Sequence, residues 1–231
     1  MDYIIEPPET PSVAISGSNK RFPVRRIFCV GRNYEAHARE MGSDPDRDPP
    51  FFFTKPADAV VDSGFTIPYP PETANLHYEA ELVVAIGKGG FRIDEADAAS
   101  HIFGYAVGND LTRRDLQFVA REAGRPWDWG KAFDRSAPCA PVHSISDTGE
   151  ITAGEIKLSV NGEIKQRSDL SLLIWNVREI ISILSRSMEL KQGDLIYTGT
   201  PEGVGPLEVG DRVVVSIAGL TDLVTHIGPP V

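Results

Sequence analysis

The segment NLHYEAELVVAIG, residues 75–87, constrains the fold more than any other stretch of this chain. Its second half is apolar at nearly every position, the pattern of a strand covered on both faces, whereas a strand wet on one face alternates. Successive side chains of a strand point to opposite faces, so His77, Glu79 and Glu81 share one side and Tyr78, Ala80 and Leu82 the other. The two carboxylates then stand about 6.5 to 7 Å apart at their Cα atoms. Acidic pairs are common on exposed strands, but ELVVAIG is too apolar for an exposed one. Burying two like charges with no counter-charge is costly, or it forces a proton onto one of them. A divalent cation removes that conflict.

Other features of the composition narrow the class. At 231 residues and 41% hydrophobic, the chain has the size and core of one large globular domain. A net charge of -10, with no cluster of Lys and Arg, argues against a nucleic-acid partner. No apolar stretch approaches the roughly 20 residues that span a bilayer. The segment MDYIIEPPETPS also lacks a basic stretch followed by an apolar one, so the expectation is a soluble, cytoplasmic protein. Cys29 and Cys139 stand alone in the sequence, which leaves neither a disulfide framework nor a CxxC zinc site and reads as two buried thiols.

Glycine and proline are scattered through the chain and punctuate many short strands. The Pro-rich stretch ending near Phe22 reads as an N-terminal arm, residues 1–21, with a short strand at SVAIS; the main domain is expected over 22–231. VRRIFCVG, ELVVAIG, IFGYAVGND, GDLIYTGTP and GDRVVVSIAG read as strands, and KLSVNGEIKQ as a hairpin around Asn161 and Gly162. NYEAHAREMG reads as a short helix stopped by Gly42, and LTRRDLQFVAREAG as a helix ending at Gly124. The prolines of DPDRDPPFFFTKPADAVV predict an irregular segment. Leu173, Val177, Ile180, Ile181, Leu184 and Met188 form the strongest helical stripe, with Ser168 or Asp169 near its start. Strands outnumber helices and do not alternate with them regularly, so an α+β roll is favoured over a doubly wound sheet.

Asp110, at the end of GYAVGND, is the candidate third ligand beside Glu79 and Glu81. Three carboxylates without a His or Cys cluster suit a hard cation, Mg²⁺ or Mn²⁺ with Ca²⁺ as a further option, and argue against zinc. His77, on the same strand face, reads as a structural histidine or as a donor to one carboxylate. Lys131 lies among Trp127, Trp129 and Phe133, a setting that favours a partly buried ammonium requiring an anion. His37 and Glu40, three apart on one helical face, have the spacing of an imidazole oriented by a carboxylate, the arrangement of a general base. YTGTPEGVG offers Thr200 and backbone N–H groups to a substrate carboxylate. It is no P-loop, and no G-x-S-x-G elbow is present.

Six motifs in order, FCVGRNYEAHAREMG, PFFFTKPADAVV, LHYEAELVVAIG, GYAVGNDLTRRDLQ, RPWDWGKAFD and YTGTPEGVGP, resemble the fumarylacetoacetate hydrolase family from about Phe22 to the C-terminus. The resemblance implies a mixed, rolled β-sheet, a homodimer, and Mg²⁺ or Mn²⁺ held by Glu79, Glu81 and Asp110. It implies catalytic roles for His37, Glu40 and Lys131, and substrate-binding roles for Arg114, Gln117 and Thr200. Tyr78 stands where a second His is common in the family, and it points away from the metal face. Within the family the similarity is to members that hydrolyse the C3–C4 bond of acylpyruvates such as fumarylpyruvate, a step of gentisate-type degradation. Decarboxylation of oxaloacetate or a related dioate, and isomerase or hydratase chemistry, would use the same enolate. A metal-stabilised binding protein would keep the carboxylates without catalysis.

Overall fold

The computed structural model describes residues 3–40 and 49–231, without the side chains of residues 38 and 40. Its centre is a curled, mixed sheet in the strand order Phe51–Lys55, Arg26–Gly31, Asp194–Tyr197, Ala80–Ile86, Ile102–Asn109, Ala137–Cys139, Val60–Asp62. His143–Ser144 pairs with Ile102–Asn109 off this path. Arg26–Gly31 runs parallel to Asp194–Tyr197, and Ala137–Cys139 parallel to Val60–Asp62, while the remaining pairs are antiparallel. This is the mixed α+β arrangement expected.

The run ELVVAIG is covered on both faces, as its composition requires. Leu82, Val84 and Ile86 enter one core, and Val83 and Ala85 enter a second core with Cys29, Ala106 and Tyr197. Across the first core lies a second mixed sheet in the order Glu163–Asp169, Glu155–Val160, Arg212–Ile217, Leu223–Gly228, Thr66–Pro68. Its Leu158, Val213 and Val215, with Ile180, Ile181 and Leu184 of the helix Val177–Ser187, complete that core. Full burial of each such Leu, Ile or Val is worth about 1.5–3 kcal/mol. Both cysteines are buried thiols. The expected hairpin is present, with Asn161 and Gly162 between Glu155–Val160 and Glu163–Asp169. In the arm, Ser12–Ala14 pairs with Arg21–Pro23, and Val13 is buried in the second core.

Three local expectations are corrected. The Pro-rich stretch is not irregular throughout, because Phe51–Lys55 pairs along its whole length with Arg26–Gly31, from Ile27 to Gly31. The helical stripe begins later than Ser168 or Asp169. Asp169 caps only the 3₁₀ turn Leu170–Leu172, and Leu173 forms a bridge with Tyr34. Asn33 accepts the next two backbone N–H groups, from Ile174 at its carbonyl and from Trp175 at Oδ1. With this stretch held extended, the helix starts at Val177 under a capping box formed by Asn176 and Glu179. Met188, the last residue of the stripe, is the helix C-cap.

Thirdly, residues 75–87 are not one strand. Leu76–Tyr78 pairs with Thr112–Arg113 and Gly205–Pro206 in a separate small sheet, and Glu79 occupies the corner before Ala80–Ile86. The short helix of the GRNY region is Glu35–Glu40; its expected stop at Gly42 lies outside the described residues.

Asn176→Ala removes the side-chain half of the capping box and is expected to lower stability by about 1 kcal/mol. Urea unfolding should show a lower midpoint with unchanged slope. An unchanged midpoint would mean that the helix start is set by the Asn33 contacts alone.

Candidate functional site

Two chain corners converge on one point. Glu79 lies between the small sheet and Ala80–Ile86, while Asp110 follows Ile102–Asn109 where that strand leaves the central sheet. Two hydrogen bonds lock the corners together: Asp110 N donates to Glu79 O at 2.9 Å, and Glu79 N donates to the side-chain Oδ1 of Asn109 at 2.9 Å. Glu79, Glu81 and Asp110 are all buried, and one oxygen from each lies within 4.8 Å of the others.

Three cations surround this acidic cluster. Lys131 Nζ bridges Glu79 Oε2 at 2.8 Å and Asp110 Oδ2 at 2.7 Å. Lys55 Nζ is 2.8 Å from Asp110 Oδ1, and Arg114 Nη2 is 2.5 Å from Glu79 Oε1. Burial acts to raise the Glu79 pKa, but Lys131, Arg114 and His37 outweigh it and hold the carboxyl well below the usual range. Burial acts to lower that of Lys131, and Asp110 and Glu79 overcome it, so the ammonium form is retained.

Glu81 stands apart. It makes no ion pair among the described residues, and its Oε2 accepts from Gly199 N at 2.7 Å. Burial, then repulsion from Asp110 and Glu79, push its pKa well above the ordinary carboxylate range. A buried carboxylate with this deficit, in a set offering only oxygen donors, fits a hard divalent cation. Glu79, Glu81 and Asp110 are the residues that would hold it.

The remaining site candidates assemble around the same point. His37, Arg114, Gln117, Lys131 and Thr200 line one small cavity of about 30 Å³ with Glu79 and Glu81. His37 is buried, on the helix Glu35–Glu40, whereas the side chain of Glu40 lies outside the described residues. The Arg114 guanidinium is fully engaged: it donates to Glu79, to Gln117 Oε1 and, at 3.4 Å, to His77 Nδ1. His77 in turn bonds Asn75 Oδ1 at 2.9 Å, so it braces the arginine that braces Glu79. Tyr78 packs in the core on the opposite side. The aromatic setting of Lys131 differs from the expectation. Its Nζ lies 5.0 Å from the Phe53 ring centroid, Trp129 is exposed, and Phe133 instead packs on Lys55 and Arg113.

Several supporting residues escaped the sequence reading. Lys55, fully buried, donates to the carbonyls of Leu111 and Lys131 besides pairing with Asp110, and so fixes the backbone on which Lys131 stands. Gln166 donates to Thr200 Oγ1 at 3.0 Å and to Pro201 O at 2.8 Å, and its Oε1 accepts from Ala80 N. Asn33 donates to Thr198 O and Trp175 O. Gly199 has φ of 101°, and a Cβ there would lie 2.7 Å from Asn33 Cβ, so only glycine presents this N–H to Glu81. The signals for Lys55 and Asn33 were a lysine beside a proline and an asparagine after a strand, both ordinary by themselves.

Residues 26–228 match the family model described as fumarylacetoacetate (FAA) hydrolase C-terminal. The chain belongs to the fumarylacetoacetate hydrolase family. It is 49% identical to a fumarylpyruvate hydrolase of Ralstonia sp. over 191 residues, covering 82% of this chain and 99% of that one. The crystal structure of fumarylpyruvate hydrolase from Pseudomonas aeruginosa in complex with Mn²⁺ and pyruvate superposes with a TM-score of 0.97 at 54% identity. That match covers 99% of this chain and 100% of the other. An oxaloacetate tautomerase of Escherichia coli is 38% identical, covering 86% of this chain and 90% of the relative. Among the described residues no helix is long and apolar enough to cross a membrane.

For this family member, Lys55→Met should leave Asp110 and two backbone carbonyls without their shared donor in a dry interior. The expected loss is about 3–5 kcal/mol of unfolding free energy in urea. A loss under about 1 kcal/mol would show that Lys131 alone compensates Asp110.

Proposed function

We propose that this protein is a metal-dependent hydrolase that cleaves the C3–C4 bond of an acylpyruvate, with fumarylpyruvate giving fumarate and pyruvate. The observation that carries the reading is the buried Glu79, Glu81 and Asp110 cluster, in which Glu81 makes no ion pair among the described residues, in a chain 54% identical to a fumarylpyruvate hydrolase crystallised with Mn²⁺ and pyruvate. Mg²⁺ or Mn²⁺ is the cofactor this donor set favours. When bound, the ion supplies Lewis-acid stabilisation of negative charge developing on the substrate's 2-oxo group.

The chain's own residues carry the remaining tasks. Thr200 Oγ1 and Gln117, both lining the cavity, orient the pyruvyl carboxylate, while Arg114 holds Glu79 and Gln117 in place. An imidazole nitrogen of His37, with Glu40 as its orienting carboxylate, takes a proton from water as the oxygen adds to C4. The C3–C4 bond then breaks, its electron pair passes to the pyruvate enolate, and a proton returns to C3. Lys131 Nζ stabilises the enolate charge from its position between Glu79 and Asp110. The arm at 1–21 and the catalytic domain at 22–231 act as a homodimeric, cytoplasmic enzyme of gentisate-type degradation, a setting supported by the family resemblance.

Oxaloacetate chemistry is the second reading, favoured by tautomerase relatives such as that of Escherichia coli at 38% identity. Protein stripped with EDTA and restored with Mn²⁺ should release fumarate and pyruvate from fumarylpyruvate in a metal-dependent manner. Consumption of oxaloacetate alone would overturn the hydrolase reading.

Glu79→Ala should abolish metal binding and turnover together. His37→Ala should keep the metal, followed as a thermal shift, and lose roughly 10²–10⁴-fold in hydrolysis. The raised pKa of Glu81 means that protons compete with the cation at a higher pH than for an ordinary carboxylate. The rise in Tm produced by Mn²⁺ should therefore shrink on acidification before the ordinary carboxylate range is reached; a pH-independent rise would exclude Glu81 as a ligand.

A further inference from the structure

A second, larger cavity of about 540 Å³ adjoins the site and shares Arg32, Phe53, Trp127 and Lys131 with the small one. Its walls are aromatic. Trp127 packs edge-on to Phe51 at 5.2 Å between centroids and tilted against Phe53 at 5.7 Å. Between these walls stands Arg32, half-buried, its guanidinium carbon 5.6 Å from the Phe51 ring centroid.

Arg32 has no ion pair and no hydrogen bond among the described residues. Asp128, the acidic residue lining the larger cavity, is exposed and is not paired with it. Burial and the nearby charge of Arg121 both disfavour its cationic form. Its backbone is also held in the left-handed region, with φ of 57°. The neighbouring Gly31 has no room for a Cβ, which would lie 2.0 Å from the Phe51 ring, and Asn33 is tied to Thr198 and Trp175. A strained backbone and a cation with no ion pair among the described residues together present a guanidinium to the wall that the two cavities share.

This placement, taken with the function proposed above, identifies a binding partner for the far end of the substrate. With the pyruvyl end at Thr200, the acyl chain leaves past Lys131, and Phe53 and Trp127 offer flat faces to a planar conjugated chain. We infer that Arg32, between Phe51, Phe53 and Trp127, is the subsite for a terminal carboxylate on the acyl group, so that the enzyme selects acylpyruvates whose acyl part is itself an unsaturated acid. Arg121, near enough to act on the Arg32 charge, adds positive potential that attracts the dianionic substrate.

The test compares kcat/KM for fumarylpyruvate and for acetylpyruvate, which has the same pyruvyl head and an uncharged acyl group, in the Mn²⁺-loaded wild type, Arg32→Gln and Arg32→Lys. The ratio of the two values should fall roughly 10- to 100-fold in Arg32→Gln, chiefly through a raised KM for fumarylpyruvate, and partly recover in Arg32→Lys. Equal losses on both substrates, or an unchanged ratio, would overturn the subsite. Tm values of the variants identify any loss due to misfolding, and an unchanged ratio in a folded Arg32→Lys and Arg32→Gln pair is decisive against the subsite. A wild type inactive on both acylpyruvates would overturn the proposed function, and the subsite with it.

Discussion

Charge compensation around Asp110 is the interaction on which the rest of the site depends. Asp110 is fully buried and receives Lys55 at 2.8 Å on one oxygen and Lys131 at 2.7 Å on the other. Lys131 continues the chain of contacts to Glu79, which Arg114 holds from its far side. Ion pairs this dry are weak sources of net stability but exacting ones, since removing any member leaves a charge with no solvent to turn to. The arrangement therefore acts mainly as a specification of geometry. It fixes where the carboxylate oxygens lie, and it leaves Glu81 as the member that, among the described residues, has a backbone N–H and no ion pair.

Much of this was legible in the sequence because the chemistry was local. Two glutamates inside an apolar strand are anomalous on their face, and Asp110 at a strand end completes a recognisable oxygen set. The nearly continuous apolar runs of ELVVAIG and IFGYAVGND likewise foretold a sheet with two covered faces. What stayed hidden depends on contacts between distant segments. Lys55 and Asp110 are far apart in the chain, and nothing within FFFTKP announces that its lysine enters the core. Gln166 reads as one more polar residue on an alternating strand, yet it joins Ala80 to the Thr200 loop.

The misplaced helix start has the same origin. Leu173 fits the helical stripe, and local preference alone would extend the helix back toward Asp169. Asn33 captures two backbone N–H groups of the segment first, and an extended pairing with the GRNY turn replaces that turn of helix. Tertiary hydrogen bonds here override a periodicity that is otherwise well formed. Trp129 illustrates the reverse case: Lys131 and Phe133, close to it in sequence, are buried, yet it faces outward.

The position of the acidic residues at chain corners has a further consequence. Glu79 and Asp110 lie where the chain passes out of the central sheet, locked by one backbone bond and one bond to the Asn109 side chain, whereas the aromatic walls belong to Phe51–Lys55 and to the segment around Trp127. The acidic corners and the aromatic side chains are thus written in separate stretches of sequence, joined through Lys55 and Lys131, which the aromatic stretches contribute to the acidic cluster. Substitutions of the aromatic side chains themselves, with Lys55 and Lys131 kept, can redraw the larger cavity while the corners keep their geometry. A scaffold divided in this way can diversify its substrates without rebuilding its chemistry.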